Sequence, residues 1–221
     1  MAGTGAVDRI AIIGASGFAR EVRDICWDLG ARNICFLGLD CDPNEIDGWP
    51  VYEDAPDVIA KLVADDWRLS IGVGSPRVRA AIARSHDQWP FATLIHPTAT
   101  FGYGQRGQVE AAEGAVVAAG ARFMSNISLG AHVAVSLNVT IGHDVTIGSF
   151  SALMPGASIS GNVTLEEGVY VGAGALTVNG LPAKPLTIGA GATIGAGAVV
   201  VRDVAPAETI IGVPGRPLRA K

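Results

Sequence analysis

The sequence predicts two units in series, a small α/β domain with a parallel sheet and, behind it, a parallel β-helix. Strand and helix signals alternate through the first half, whereas a bulky apolar residue recurs at every sixth position through the second. The 29 glycines in 221 residues come without a collagen period or low-complexity runs, which points to tight backbone turns repeated many times.

The first half justifies the α/β reading element by element. Arg9-Ile-Ala-Ile-Ile13 reads as a short buried strand, followed by the turn Gly14-Ala15-Ser16-Gly17. Phe18, Val22, Ile25, Cys26 and Leu29 then recur at helical spacing, and Gly30 supplies a stop. A second strand, Ile34 to Leu39, leads into the acidic loop Asp40-Cys-Asp42-Pro43. Leu69 to Val73 reads as a strand, Gly74-Ser75-Pro76 as a turn, and Arg77 to Arg84 as a helix. Such βαβ alternation implies a small parallel sheet.

The second half has a different period. Phe123 is followed at six-residue steps by Leu129, Val135, Ile141, Ile147, Leu153, Ile159, Leu165 and Val171. Two residues before these positions stand small or apolar residues, including Ile127, Val133, Val139, Val145, Ser151 and Val163. The rhythm breaks around Asn179 to Pro185 and resumes at Ile188, Ile194 and Val200. An α-helix of 3.6 residues per turn would carry every sixth residue off its face, but a β-helix keeps it inward. Gly130, Gly142, Gly148 and Gly172 directly follow large residues and are expected to supply the corner dihedrals. Coils of this kind stack on one another and need capped ends.

Composition narrows the function. The formal net charge is −5, its acidic excess lies before Phe101, and no basic stripe marks a nucleic-acid partner. Cys26, Cys35 and Cys41 form an odd set without metal-ligand spacing, as expected of reduced thiols. No apolar run is long enough to span a bilayer, so a cytoplasmic protein without a membrane partner is expected.

The hexads resemble the left-handed β-helix of hexapeptide-repeat acyltransferases, and the left-handed sense is taken from that resemblance. More narrowly, Gly14-Ala-Ser-Gly17-Phe-Ala-Arg-Glu-Val22 together with Leu137-Asn-Val-Thr-Ile-Gly-His143-Asp144 looks like the PglD/NeuD-type sugar acetyltransferases. Pro155-Gly156-Ala-Ser-Ile-Ser-Gly161-Asn-Val163 and Ile211-Gly-Val-Pro-Gly-Arg-Pro217 fit the same family. The resemblance implies a Rossmann-like nucleotide-sugar-binding domain over residues 1–97 and a left-handed β-helix acyltransferase domain over 98–221. It also implies a homotrimer with acetyl-CoA in grooves between subunits and acetyl transfer to the amino group of a nucleotide-linked aminosugar.

His143, two residues beyond the inward Ile141, is expected to project outward. By position it could be a solvated surface residue; the family match makes it the general base, since a neutral imidazole can take the proton an amine sheds on becoming an amide. Asp144 would orient the ring, or else be a solvated turn acid, and neighbours on a straight strand point apart, so the pairing requires a bend at 142–144. By resemblance the Gly161 N–H would face the thioester carbonyl. Many relatives carry a histidine where this chain has Ala152, which would remove a contact to acetyl-CoA.

Gly14, Ala15, Ser16 and Gly17 form a strand-to-helix turn suited to a phosphate, or simply a tight turn. Asp40 is placed to accept from a ribose or base, and Gly74 and Arg77 stand at a second such turn near a pyrophosphate. Gly172, Ala173 and Gly191 belong to Gly/Ala-rich pieces that could form a flat wall for pantetheine or only tight coil packing. Lys184, Arg202, Arg216 and Arg219 are candidates for the coenzyme phosphates.

Other classes fit less of the chain. A nicotinamide oxidoreductase leaves the β-helix unexplained. A zinc-dependent β-helix hydratase needs converging histidines, and His86, His96, His132 and His143 offer no close pair in sequence. Sugar O-acetylation and a catalytically silent sugar-nucleotide binder both remain open.

Overall fold

The computed structural model describes residues 8–39 and 44–218. Asp40, Cys41, Asp42 and Arg219 lie outside the described residues.

The N-terminal sheet contains β1 (Arg9–Ile13), β2 (Asn33–Gly38), β3 (Glu45–Ile46), β4 (Trp49–Glu53) and β5 (Arg68–Ile71). Its order is β3-β4-β2-β1-β5, parallel except for the short β3–β4 hairpin. Helices α1 (Gly17–Asp28), α2 (Pro56–Ala64) and α3 (Pro76–Ser85) connect and cover it. Ile10, Ile12, Phe36 and Leu69 are completely buried, as befits strands covered on both faces. Sequence periodicity missed β4 and α2, because Pro50 interrupts the strand signal and α2 has only nine residues. Chain order reverses at β1, with β2 on one side and β5 on the other, so the loops after β1 and β5 flank the crevice where such sheets receive ligands.

The second unit is a three-faced left-handed prism. One face stacks six strands, from Thr100–Phe101 to Val199–Val200. A second stacks four: Ser128–Leu129, Val145–Ile147, Val163–Leu165 and Leu186–Ile188. The third stacks eight and begins at Leu94–Ile95, just ahead of residue 98. Parallel partners such as Val145↔Val163 and Ile141↔Ile159 lie three hexads apart, so one coil takes three hexads, one per face. The hexad residues expected inside line one continuous core, with Leu129 partly buried at its edge and the others buried.

The corners are not made by the glycines that the sequence pointed to. Left-handed φ values recur every sixth residue, at Asn126, His132, Asn138, Asp144, Phe150, Gly156, Asn162, Gly168 and Gly174. Gly130, Gly142, Gly148 and Gly172 lack positive φ; a Cβ at any of them would come within 2.5–2.7 Å of backbone in the next coil. They permit close stacking, whereas the corners mostly use Asn, Asp and Gly, the residues that tolerate this region best, with His132 and Phe150 as the two exceptions in that run.

The ends are capped as stacked coils require. The short helix Gln105–Glu110 closes one end: its buried Gln105 donates to the Ile127 carbonyl (2.7 Å) and accepts from the Ile127 N–H (2.9 Å). Arg216–Pro217 pairs antiparallel with Thr209–Ile211 at the other end. The two units share a core, with Val116 and Ala118 of the eight-strand face packed among Ile10, Val22 and Phe36. Completely buried Arg79 of α3 also joins them, donating to the His132 carbonyl at 2.7 and 3.0 Å and to Val73 and Ile71 at 2.9 and 3.2 Å. Among the described residues it has no carboxylate partner, and burial pulls its guanidinium down to about 10.

Candidate active site

Three side chains converge at the corner between the six- and four-strand faces. Asp144 occupies the corner itself with φ 56°, so the bend demanded by an adjacent His–Asp pair falls on the aspartate and not on Gly142. This turn carries the Asp144 carboxylate back beside the ring of His143, with His143 Nδ1 2.7 Å from Asp144 Oδ2. One coil below, at the equivalent corner, Asn126 donates its Nδ2 to Asp144 Oδ1 at 2.5 Å. That bond first, then the one from His143, holds the Asp144 carboxyl below the usual range. The His143 and Asp144 side chains are 56% and 46% exposed, which keeps both within reach of a ligand.

The bonding fixes the proton. A carboxylate can only accept, so Nδ1 of His143 carries the hydrogen, and in the neutral form of the ring Nε2 is the nitrogen without a proton. The ring lies over Gly161, one coil above: an added Cβ there would fall 2.6 Å from Nε2 and 2.7 Å from Cε1. Glycine at 161 therefore makes room for the imidazole. Its N–H is not free, since it donates to Asn179 Oδ1 at 3.0 Å. Asn126 and Asn179 were missed by sequence reading. Both stand eighteen residues, or one coil, from a residue already singled out (Asp144 and Gly161), and that spacing was the available signal.

The other expected residues fall elsewhere. Gly14, with φ 109°, turns the chain out of β1, and Ala15, Ser16 and Gly17 are exposed at the start of α1. A Cβ on Gly14 would touch Val73 and the Gly72 carbonyl, so this loop abuts the one after β5 that holds Gly74. Arg77 lies on the first turn of α3, in a cleft of about 850 Å³ whose far wall includes Phe150, Gly168, Tyr170 and Gly191 of the β-helix. Arg77 and Gly191 thus share one cleft, in which Arg84 of α3 approaches Glu167 at 3.7 Å. Gly172 and exposed Ala173 stand at a different corner from both Gly191 and His143. Gly172 is buried, and its missing Cβ admits the Ile194–Ala196 backbone, so it offers no wall to a ligand.

Ala152 is completely buried between Ala134 and Tyr170 on the eight-strand face, so its methyl touches no open groove. Lys184 and Arg202 line one hollow of about 270 Å³ together with Asn179. His132 and His143 sit at different corners, and among the described residues no group of three or more His, Cys, Asp or Glu side chains could hold a metal ion. Burial pushes the Cys26 and Cys35 thiols up to about 12, far from a reactive thiolate. No helix among the described residues is long and apolar enough to cross a membrane.

Comparison with known proteins matches residues 9–86 to the PglD N-terminal domain family. GDP-perosamine N-acetyltransferase of Escherichia coli O157:H7 is 29% identical over 154 residues, covering 68% of this chain and 67% of that protein. The acetyltransferase domain of PglB from Neisseria gonorrhoeae FA1090, solved in complex with acetyl coenzyme A, is 30% identical with a TM-score of 0.83, over 96% of this chain and 99% of that one. PerB from Caulobacter crescentus, solved in complex with CoA and GDP-perosamine, is 27% identical with a TM-score of 0.83, over 97% of this chain and 99% of that one. Fold, N-terminal domain and near-complete coverage agree: this chain belongs to the PglD-type family of sugar acetyltransferases.

Proposed function

We propose that the protein transfers the acetyl group of acetyl-CoA to the amino group of a nucleotide-linked aminosugar, with His143 as general base. The observation that carries this reading is the 2.7 Å bond from His143 Nδ1 to Asp144, which leaves Nε2 bare on an exposed corner. The amine attacks the thioester carbonyl carbon, and the carbonyl π pair moves to oxygen. Nε2 takes the proton released by the nitrogen, and Asp144, itself held by Asn126, stabilises the imidazolium. As the intermediate collapses, the C–S bond breaks with its electron pair on sulfur, and the imidazolium returns a proton to the departing thiolate.

The nucleotide is assigned to the paired loops after β1 and β5, with the start of α1 facing phosphate through Ala15, Ser16 and Gly17. Arg77 extends that site into the cleft toward the β-helix. Lys184 and Arg202 share a hollow with Asn179 and so place positive charge beside the acyl end of the donor. A trimer is inferred from exposed Met124, Leu176, Val178 and Val201 on or beside the six-strand face, which borders the His143 corner. The test is a panel of nucleotide-linked 3- and 4-aminosugars incubated with acetyl-CoA, with released thiol as the readout. Transfer to at least one amine supports the reading; transfer to none, with acetyl-CoA bound, contradicts it.

A further inference from the structure

We infer that Asn179 supplies a hydrogen bond to the acyl carbonyl oxygen as negative charge builds on it, a role that rests on the acetyl-transfer reading. A developing oxyanion needs a donor near the base. The N–H of Gly161, the residue over which the His143 ring lies, is already donated to Asn179 Oδ1 at 3.0 Å. Because an N–H requires an acceptor, the carboxamide must turn its oxygen toward Gly161 and its NH2 group away. Asn179 is exposed, and among the described residues its NH2 donates to no protein acceptor.

Gly161 is the shared support: the His143 ring lies over its α-carbon, while its nitrogen anchors the carboxamide. Base and donor are thus held by neighbouring atoms of one residue. The anchoring bond also polarises the carboxamide, since donation into Oδ1 draws electron density from the NH2 group and strengthens it as a donor. Asn179 stands at the start of the segment that interrupts the hexads, and Gly180 N–H to Gly161 carbonyl (3.0 Å) fixes that segment to the same coil. When the amine attacks, the carbonyl π pair moves onto oxygen and the Asn179 Nδ2–H meets it; on collapse that pair reforms the carbonyl as the C–S pair leaves with sulfur.

The experiment uses Asn179→Asp and Asn179→Ala in the full chain, with the carbonyl stretch of bound 13C-labelled acetyl-CoA and steady-state rates as readouts. Asn179→Asp keeps an acceptor for the Gly161 N–H but has no donor. It should lose about a hundred-fold in kcat, the usual loss for one oxyanion donor, with little change in KM for acetyl-CoA. Its bound carbonyl stretch should move to higher frequency than in the unsubstituted protein. Asn179→Ala frees the Gly161 N–H and should fall between the two. An Asn179→Ala protein as fast as the unsubstituted one, or an identical carbonyl stretch in all three, overturns the assignment and returns the donor role to Gly161. Failure of the unsubstituted protein to bind acetyl-CoA would overturn the acetyl-transfer reading itself, and this assignment with it.

Discussion

Replacing Gly161 by alanine separates the chemistry of the His143 corner from the stability of the coil stacked on it. The new Cβ would fall 2.6 Å from His143 Nε2, 2.7 Å from Cε1 and 3.1 Å from Cδ2. To reach an ordinary contact of 3.4 Å the ring must retreat by about 0.8 Å. It cannot do so without disturbing the 2.7 Å bond to Asp144, because both side chains hang from adjacent residues. Misplacing a catalytic group by about 1 Å can cost up to a hundred-fold, so kcat should fall about ten- to a hundred-fold. The backbone has no reason to object. Gly161 lacks a positive φ, and the group that must move is the end of a side chain, so the alanine should change stability by no more than about 0.4 to 1 kcal/mol, in the stabilising direction. Thiol release under saturating acetyl-CoA and a thermal melt on the same preparation provide the two numbers. Full activity with an unchanged melt would refute the placement of the imidazole over Gly161.

Asn126→Ala removes the first of the bonds that hold the Asp144 carboxyl low, so the carboxyl should titrate at higher pH, read from its 13C chemical shift, and the acetyl-transfer rate at neutral pH should fall about ten-fold. The sign follows from a depressed carboxyl: its contribution is lost as pH falls through the folded value, and raising that value brings the loss on earlier. His86 is held above its ordinary 6.5 chiefly by its 2.8 Å bond to Asp54, so its contribution to stability is complete below that ordinary value and fades as pH rises through the folded one. The melting temperature should therefore drop more for His86→Asn at pH 5.5 than at pH 8.5. Arg79→Lys cannot reproduce the forked bonds to the His132, Val73 and Ile71 carbonyls and should cost about 2 kcal/mol in urea unfolding, with faster proteolysis at the junction of the two units.

Much of the architecture was legible because a stacked coil repeats its demands. The inward hexad residues must be apolar at every turn, and Ile141, Ile147, Val163 and the rest display that requirement without a partner chain or ligand. The roles of the glycines were harder to read. A glycine can signal an unusual dihedral or a close approach, and sequence alone does not distinguish Gly142, which admits the next coil, from Gly156, which turns a corner. His143 and Asp144 were adjacent in sequence and easily paired. Asn126 and Asn179 reach the same site only across coils, and finding them requires knowing that three hexads make one turn. The N-terminal turns after β1 and β5 were visible as Gly14–Gly17 and Gly74–Pro76, whereas β4 was hidden by Pro50. The cleft that joins Arg77 to Gly191 arises from the docking of two units and has no signature in either segment.

His143→Ala, assayed for thiol release with acetyl-CoA and a nucleotide-linked aminosugar beside a melt that confirms folding, bears most directly on the central claim. A loss of about two to four powers of ten in the acyl-transfer rate, with acetyl-CoA still bound, is the expected result for removing a general base. Undiminished turnover in a folded His143→Ala protein would contradict it.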